Sequence, residues 1–175
     1  FETKLWEEIH IPRFLYATTH ARNLELKFAT PEILESMRAL LLKALPPIEP
    51  PTSKRIFLLR GDTRTRRVEG ETALAEKLAT LGFTTLVGQW SNLAEQISSF
   101  ENADVIIGAH GAGLANVLWS KPGALLIEMS ARNARKTTGL HWATGAGVDY
   151  LPLTGSDEGE LQSFSIDPDA IFARV

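Results

Sequence analysis

From Arg55 onward the chain alternates short apolar runs with single stretches of helical periodicity, and this alternation restricts the fold more than any other feature. Arg55-Ile56-Phe57-Leu58-Leu59 reads as a strand, and Glu71 to Leu81 as a helix with Leu74, Leu78 and Leu81 in line and Gly82 as its stop. Thr84 to Val87 is the next strand. Ser91 can cap a helix whose buried face is Leu93, Ile97 and Phe100, and the apolar run Val105-Ile106-Ile107 follows. A small-residue turn and a helix from Ala112 to Trp119 lead to the strand Ala124-Leu125-Leu126-Ile127, then to a weaker helical segment and a strand from Val148 to Leu153. Strands separated by single helices pair in parallel through right-handed crossovers. The expected fold class is α/β, a doubly wound parallel sheet of about five strands.

Ahead of this region, Phe1 to Ala29 is irregular, with Trp6, His10, Arg13, Phe14, Tyr16, His20 and Arg22 interleaved. Thr30 can cap a helix with Pro31 at its first position and Glu32 beside the positive end of its dipole, and Ile33, Met37, Leu40, Leu41 and Ala44 form one apolar face. Pro46 to Pro51 reads as a stiff connector. The expected organisation is an irregular segment plus helix over residues 1–50 and one domain over residues 51–175. A chain of 175 residues suits a single core, and its start at Phe1 points to a piece of something longer. The tail after Gly155 is polar, with room for one short strand at Phe164 to Ile166 and one short helix at Pro168 to Phe172.

A net charge of −3 gives no general affinity for nucleic acid or anionic membrane, so any anion must be held locally. No apolar stretch reaches the roughly 18 residues needed to cross a bilayer, and no signal-peptide pattern opens the chain, so the expected location is cytoplasmic. The absence of cysteine excludes disulfides and thiolate metal sites.

The chemistry concentrates in Val105 to Asn116, where an apolar strand runs into the turn His110-Gly111-Ala112-Gly113-Leu114 and then a helix. A helix starting there points unpaired N–H groups at the C-terminal edge of the sheet, where open α/β sheets bind ligands. Gly111 and Gly113 permit positive φ and close approach of a phosphate; a turn that only packs helix on strand is the plainer alternative. As a dinucleotide fingerprint it is incomplete, because Asn116 stands where a third glycine or alanine is expected.

A second cluster, Arg60, Arg64, Arg66 and Arg67, follows the first strand and opens on the same edge. These arginines can clamp a pyrophosphate or can pair with Asp62, Glu69 and Glu71. Arg60, held by a strand, is expected to contribute more than Arg64 in mid-loop. His110 can donate to a phosphate or sugar hydroxyl, and Glu128, closing its strand, can accept from ribose hydroxyls or anchor a loop. Asp167-Pro168-Asp169 has the Asp-x-Asp form of metal-binding sugar transferases, but its place in the polar tail reads as a proline turn, and no metal site is expected.

In order, Arg60, Arg66-Arg67, Glu71, Glu95-Gln96, the His110 to Leu114 turn with Asn116, Pro122-Gly123 and Glu128 resemble the C-terminal region of glycosyltransferase family 61. The likeness runs from Arg55 to Ser130. Gly61 departs from the family's second arginine, and Gly70 from an asparagine before the helix glutamate. The resemblance implies a Rossmann-like domain, the C-terminal half of an inverting GT-B enzyme that needs no Asp-x-Asp metal or other cofactor. Its partners would be a nucleotide-sugar donor and a glycan acceptor, with the general base in an N-terminal domain that leads into residues 1–50 and that the chain lacks. It also implies bacterial relatives in capsular or other surface polysaccharide synthesis. In this reading Arg60, Arg66, Arg67, the turn Gly111, Ala112, Gly113 and Leu114, Asn116 and Glu128 bind the nucleotide sugar, and His110 is the catalytic candidate. Two other readings stand beside it: a Rossmann oxidoreductase using a nicotinamide cofactor, and a non-catalytic module using the arginine loop as a protein interface.

Overall fold

The three strands with the longest apolar runs end up in the middle of the sheet. The computed structural model describes residues 31–44, 53–60, 65–87, 93–134, 137–157 and 159–175. Its strands are β1 (Arg55–Leu59), β2 (Thr84–Val87), β3 (Val105–Ala109), β4 (Leu125–Ser130) and β5 (Asp149–Thr154). They pair in parallel in the order β2-β1-β3-β4-β5, which is the expected doubly wound α/β arrangement. The helices are α1 (Pro31–Ala44), α2 (Glu71–Thr80), α3 (Leu93–Asn102), α4 (Thr138–Ala146) and α5 (Pro168–Phe172).

Side chains alternate across each strand, so two cores form. Phe57, Ile107, Ile127 and Met129 pack with Leu74 and Leu78 of α2 and Ile171 of α5. Ile56, Leu58, Ile106 and Leu126 pack on the other face with Phe100 of α3 and Ala143 of α4. Burial on both faces is why β1, β3 and β4 read as unbroken apolar runs. The edge strand β5 tolerates Pro152, which has no N–H to give.

The expected helix after the glycine turn is a 3-10 helix over Ala112–Trp119. Leu114, Val117 and Ser120 are all fully buried, and their spacing of three suits a helix with three residues per turn. α2 stops as expected at Gly82, whose φ of 82° lets Gly82 N–H reach Ala79 O at 3.0 Å and Phe83 N–H reach Leu78 O at 3.1 Å.

Three burial expectations need correction. Met37 and Leu40 are 48% and 70% exposed, because α1 turns the stripe Leu34, Arg38 and Leu42 inward; Arg38 Nη1 donates to Ser120 O at 2.9 Å. Leu81 and Leu93 are exposed because they lie at helix ends, past the turns that face the sheet. β4 continues to Ser130, so Glu128 lies inside the strand and does not close it. The segment 1–30, the 46–51 connector, Gly61, Asp62, Arg64, the Ser91 cap and the side chains of Ile33, Leu41 and Ala44 lie outside the described residues.

The tail folds back over the sheet. Phe164 forms a parallel bridge with Val68 and inserts into the core beside Ile171. Asp167 accepts a hydrogen bond from Asp169 N–H at 3.0 Å, so it caps α5 with Pro168 in the first turn. Asp167→Ala should cost about 1 kcal/mol, read as a lowered urea midpoint at unchanged slope.

Candidate functional site

In a sheet of order 2-1-3-4-5, ligands bind in the crevice beyond the C-terminal ends of β1 and β3, where the winding reverses. Arg60 follows β1 and His110 follows β3 at this point. Arg60 Nη1 donates to His110 O at 2.9 Å and Nη2 to Thr65 O at 3.4 Å, so one guanidinium spans the crevice floor. The Arg60 backbone N–H donates to Glu71 Oε1 at 3.1 Å, tying the strand end to the start of α2. Burial lowers the Arg60 pKa first, and the nearby Arg66 charge lowers it further, against the opposing pull of Glu71. Two cations held together in a half-buried place favour an anion between or beside them.

Arg66 has a φ of 60°, a left-handed backbone that costs a non-glycine residue about 1 kcal/mol or more. The Arg66 side chain is partly buried, and the flanking chain is pinned to the tail, Phe164 N–H donating to Arg67 O at 3.0 Å and Glu69 N–H to Phe164 O at 2.9 Å. Arg67 itself is exposed.

The glycine turn works by omission of Cβ, not by positive φ. Gly111 has a φ of 169°, an extended backbone open to any residue, but a Cβ there would fall 2.1 Å from Arg60 Nη1. At Gly113 a Cβ would fall 2.9 Å from Leu58 Cδ2, so that glycine does pack helix on strand. Leu114 is fully buried and its N–H is taken by Gly111 O at 3.0 Å, which leaves the Ala112 and Gly113 amides as those preceding the first helical bond. Asn116 Nδ2 donates to Gly113 O at 3.1 Å and braces the turn. Gly111→Ala should displace the Arg60 guanidinium without unfolding the chain. A circular-dichroism spectrum like wild type, with nucleoside diphosphate binding weakened about tenfold, is the expected pair of results.

Beside the crevice lies a hydrogen-bonded chain through three neighbouring strands. Glu128 of β4 is 2% exposed; its Oε1 meets His110 Nδ1 at 2.7 Å and its Oε2 accepts from Tyr150 Oη of β5 at 2.6 Å. Tyr150 pairs in register with Leu126, two residues before Glu128, so both side chains use the α4 face. Gly139, in the first turn of α4, lies so close that a Cβ would fall 2.2 Å from Glu128 Oε2. The positive end of the α4 dipole is thus set against a carboxylate, the favourable sense.

The family model for Glycosyltransferase 61 matches residues 6–127. The chain belongs to glycosyltransferase family 61. No curated protein matches it. Family membership makes it a glycosyltransferase chain, with a donor and an acceptor as its substrates. The matched span holds Arg60, Arg66, Arg67, His110, the glycine turn and Asn116, and it ends at Ile127, immediately before Glu128. Of the family 61 residues singled out from sequence, Arg60, His110, Gly111 and Glu128 come together, with Arg66 beside Arg60. Arg67 lies outward, and Leu114 and Asn116 build the turn. The sequence carries no signal for Tyr150 or Gly139, since only the register of β4 with β5 and the docking of α4 bring them to Glu128. The glycine turn follows β3, whereas the dinucleotide fingerprint follows a first strand, and family 61 membership leaves the oxidoreductase reading without support. No helix among the described residues is long and apolar enough to cross a membrane.

Proposed function

We propose that this chain is the donor-binding part of an inverting GT-B enzyme that moves a sugar from a nucleotide sugar to a glycan, in surface or capsular polysaccharide synthesis. The observation that carries the reading is the meeting of Arg60, Arg66 and His110 at the β1/β3 crevice in a protein of net charge −3. Arg60, with Arg66 and Arg67, neutralises the diphosphate that leaves as the glycosidic bond forms, and the Ala112 and Gly113 amides add donors to it. Glu128, buried and with both oxygens engaged, serves by orienting His110 in place of holding ribose. His110 in turn contacts the departing phosphate or the sugar. The general base comes from the partner domain of the same enzyme.

Titration calorimetry of the full-length protein with uridine and guanosine diphosphates tests this reading. Binding of one of them is expected, and no binding of any nucleoside diphosphate at millimolar concentration would remove it. His110→Ala should lower kcat about 100-fold while changing donor affinity little, because a contact that strengthens in the transition state acts on the chemical step. Unchanged turnover would return His110 to a structural role.

A further inference from the structure

We propose that Tyr150 is a positioning residue for His110, acting through Glu128: its hydroxyl holds one carboxylate oxygen so that the other fixes the proton of His110 on Nδ1. Tyr150 lies outside the span matched by the family model. A carboxylate at 2% exposure must have its oxygens satisfied by donors, and two are present at hydrogen-bond distance, the phenol at 2.6 Å and the imidazole at 2.7 Å. Burial first, then the hydrogen bond to Glu128 and its charge, push the Tyr150 hydroxyl pKa upward, so the phenol keeps its proton and acts as the donor. With Oε2 accepting from the phenol, the carboxylate acts as acceptor at Oε1 too, and Nδ1 is the N–H partner it meets at 2.7 Å. Nε2 is then the ring nitrogen left for the crevice.

The backbone supports the same assignment. His110 is held on both sides of its α-carbon, its N–H donating to Met129 O at 2.8 Å and its carbonyl accepting from Arg60 Nη1 at 2.9 Å, so the imidazole starts from a fixed base. Gly139 leaves the room that Oε2 needs to reach the phenol. The chain from β5 to β4 to the end of β3 therefore sets both the rotation and the tautomer of the ring. Its service to sugar transfer rests on the donor-site reading above, but the tautomer itself does not.

Nitrogen-15 spectra of the histidine rings, recorded at about pH 9 so that an ordinary imidazole is neutral, test this directly. Wild type is expected to have His110 as the Nδ1–H tautomer, and Tyr150→Phe, which keeps the ring but loses the hydroxyl, to shift it toward a mixture. In the full-length enzyme Tyr150→Phe should lower kcat about tenfold with the nucleoside diphosphate Kd unchanged, a split that general loosening of the fold does not produce. An Nε2–H tautomer in wild type, or identical His110 signals in Tyr150→Phe, would overturn the proposal. The expected tautomers in a protein that binds no nucleoside diphosphate would instead overturn the donor-site reading and leave the positioning role standing.

Discussion

Arg60→Ala is expected to weaken nucleoside diphosphate binding by about 1.5–3 kcal/mol, a rise in Kd of roughly 10- to 150-fold. The lower figure is the loss of one hydrogen bond to a charged group. The upper one follows because this guanidinium also joins the β1 and β3 ends through His110 O and holds the loop before α2 through Thr65 O, so its removal leaves two carbonyls without that donor. Arg60 is already ordered by these bonds before any ligand arrives, and little side-chain entropy is lost on binding. Arg67→Ala, at an exposed position, should cost less. Titration calorimetry on both variants decides the matter, and equal affinity for wild type and Arg60→Ala would eliminate the diphosphate clamp. Arg60→Lys is not a mild substitution here, since an ammonium cannot reach both carbonyls in a planar fork.

The largest expected loss of stability comes from Glu128→Ala, at about 3–5 kcal/mol. The change strips the partner from the Tyr150 phenol and from His110 Nδ1 together, each about 1–3 kcal/mol when left unsatisfied, and opens a cavity under the first turn of α4. For a chain of this size that is a fall of about 10 °C in Tm. A loss below about 1 kcal/mol would mean that water or a rearranged neighbour replaces the carboxylate.

The residues that bind and those that position differ in how they could be recognised. Arg60, His110 and the glycines stand at ends of predicted elements, where side chains meet the sheet edge by topology alone. Glu128 looks the same in sequence, as the first charge after an apolar run, which predicts that it closes the strand. β4 runs on to Ser130, and this shift of two residues takes Glu128 from an open edge to the interior.

The elements, their order and the parallel sheet were legible along the chain, since apolar periodicity and single intervening helices allow few alternatives. The sequence also carried the family, through the spacing of Arg60, the glycine turn and their companions. Only the tertiary structure shows that Met37 and Leu40 of α1 stay exposed while Arg38, on the same helix, reaches the Ser120 carbonyl. It alone decided what the glycines are for: Gly111 is small because a guanidinium from 51 residues earlier occupies the space its Cβ would take. The same holds for Tyr150, since a strand pattern states which residues share a face of their own strand but not which register sets that face beside a carboxylate on the next.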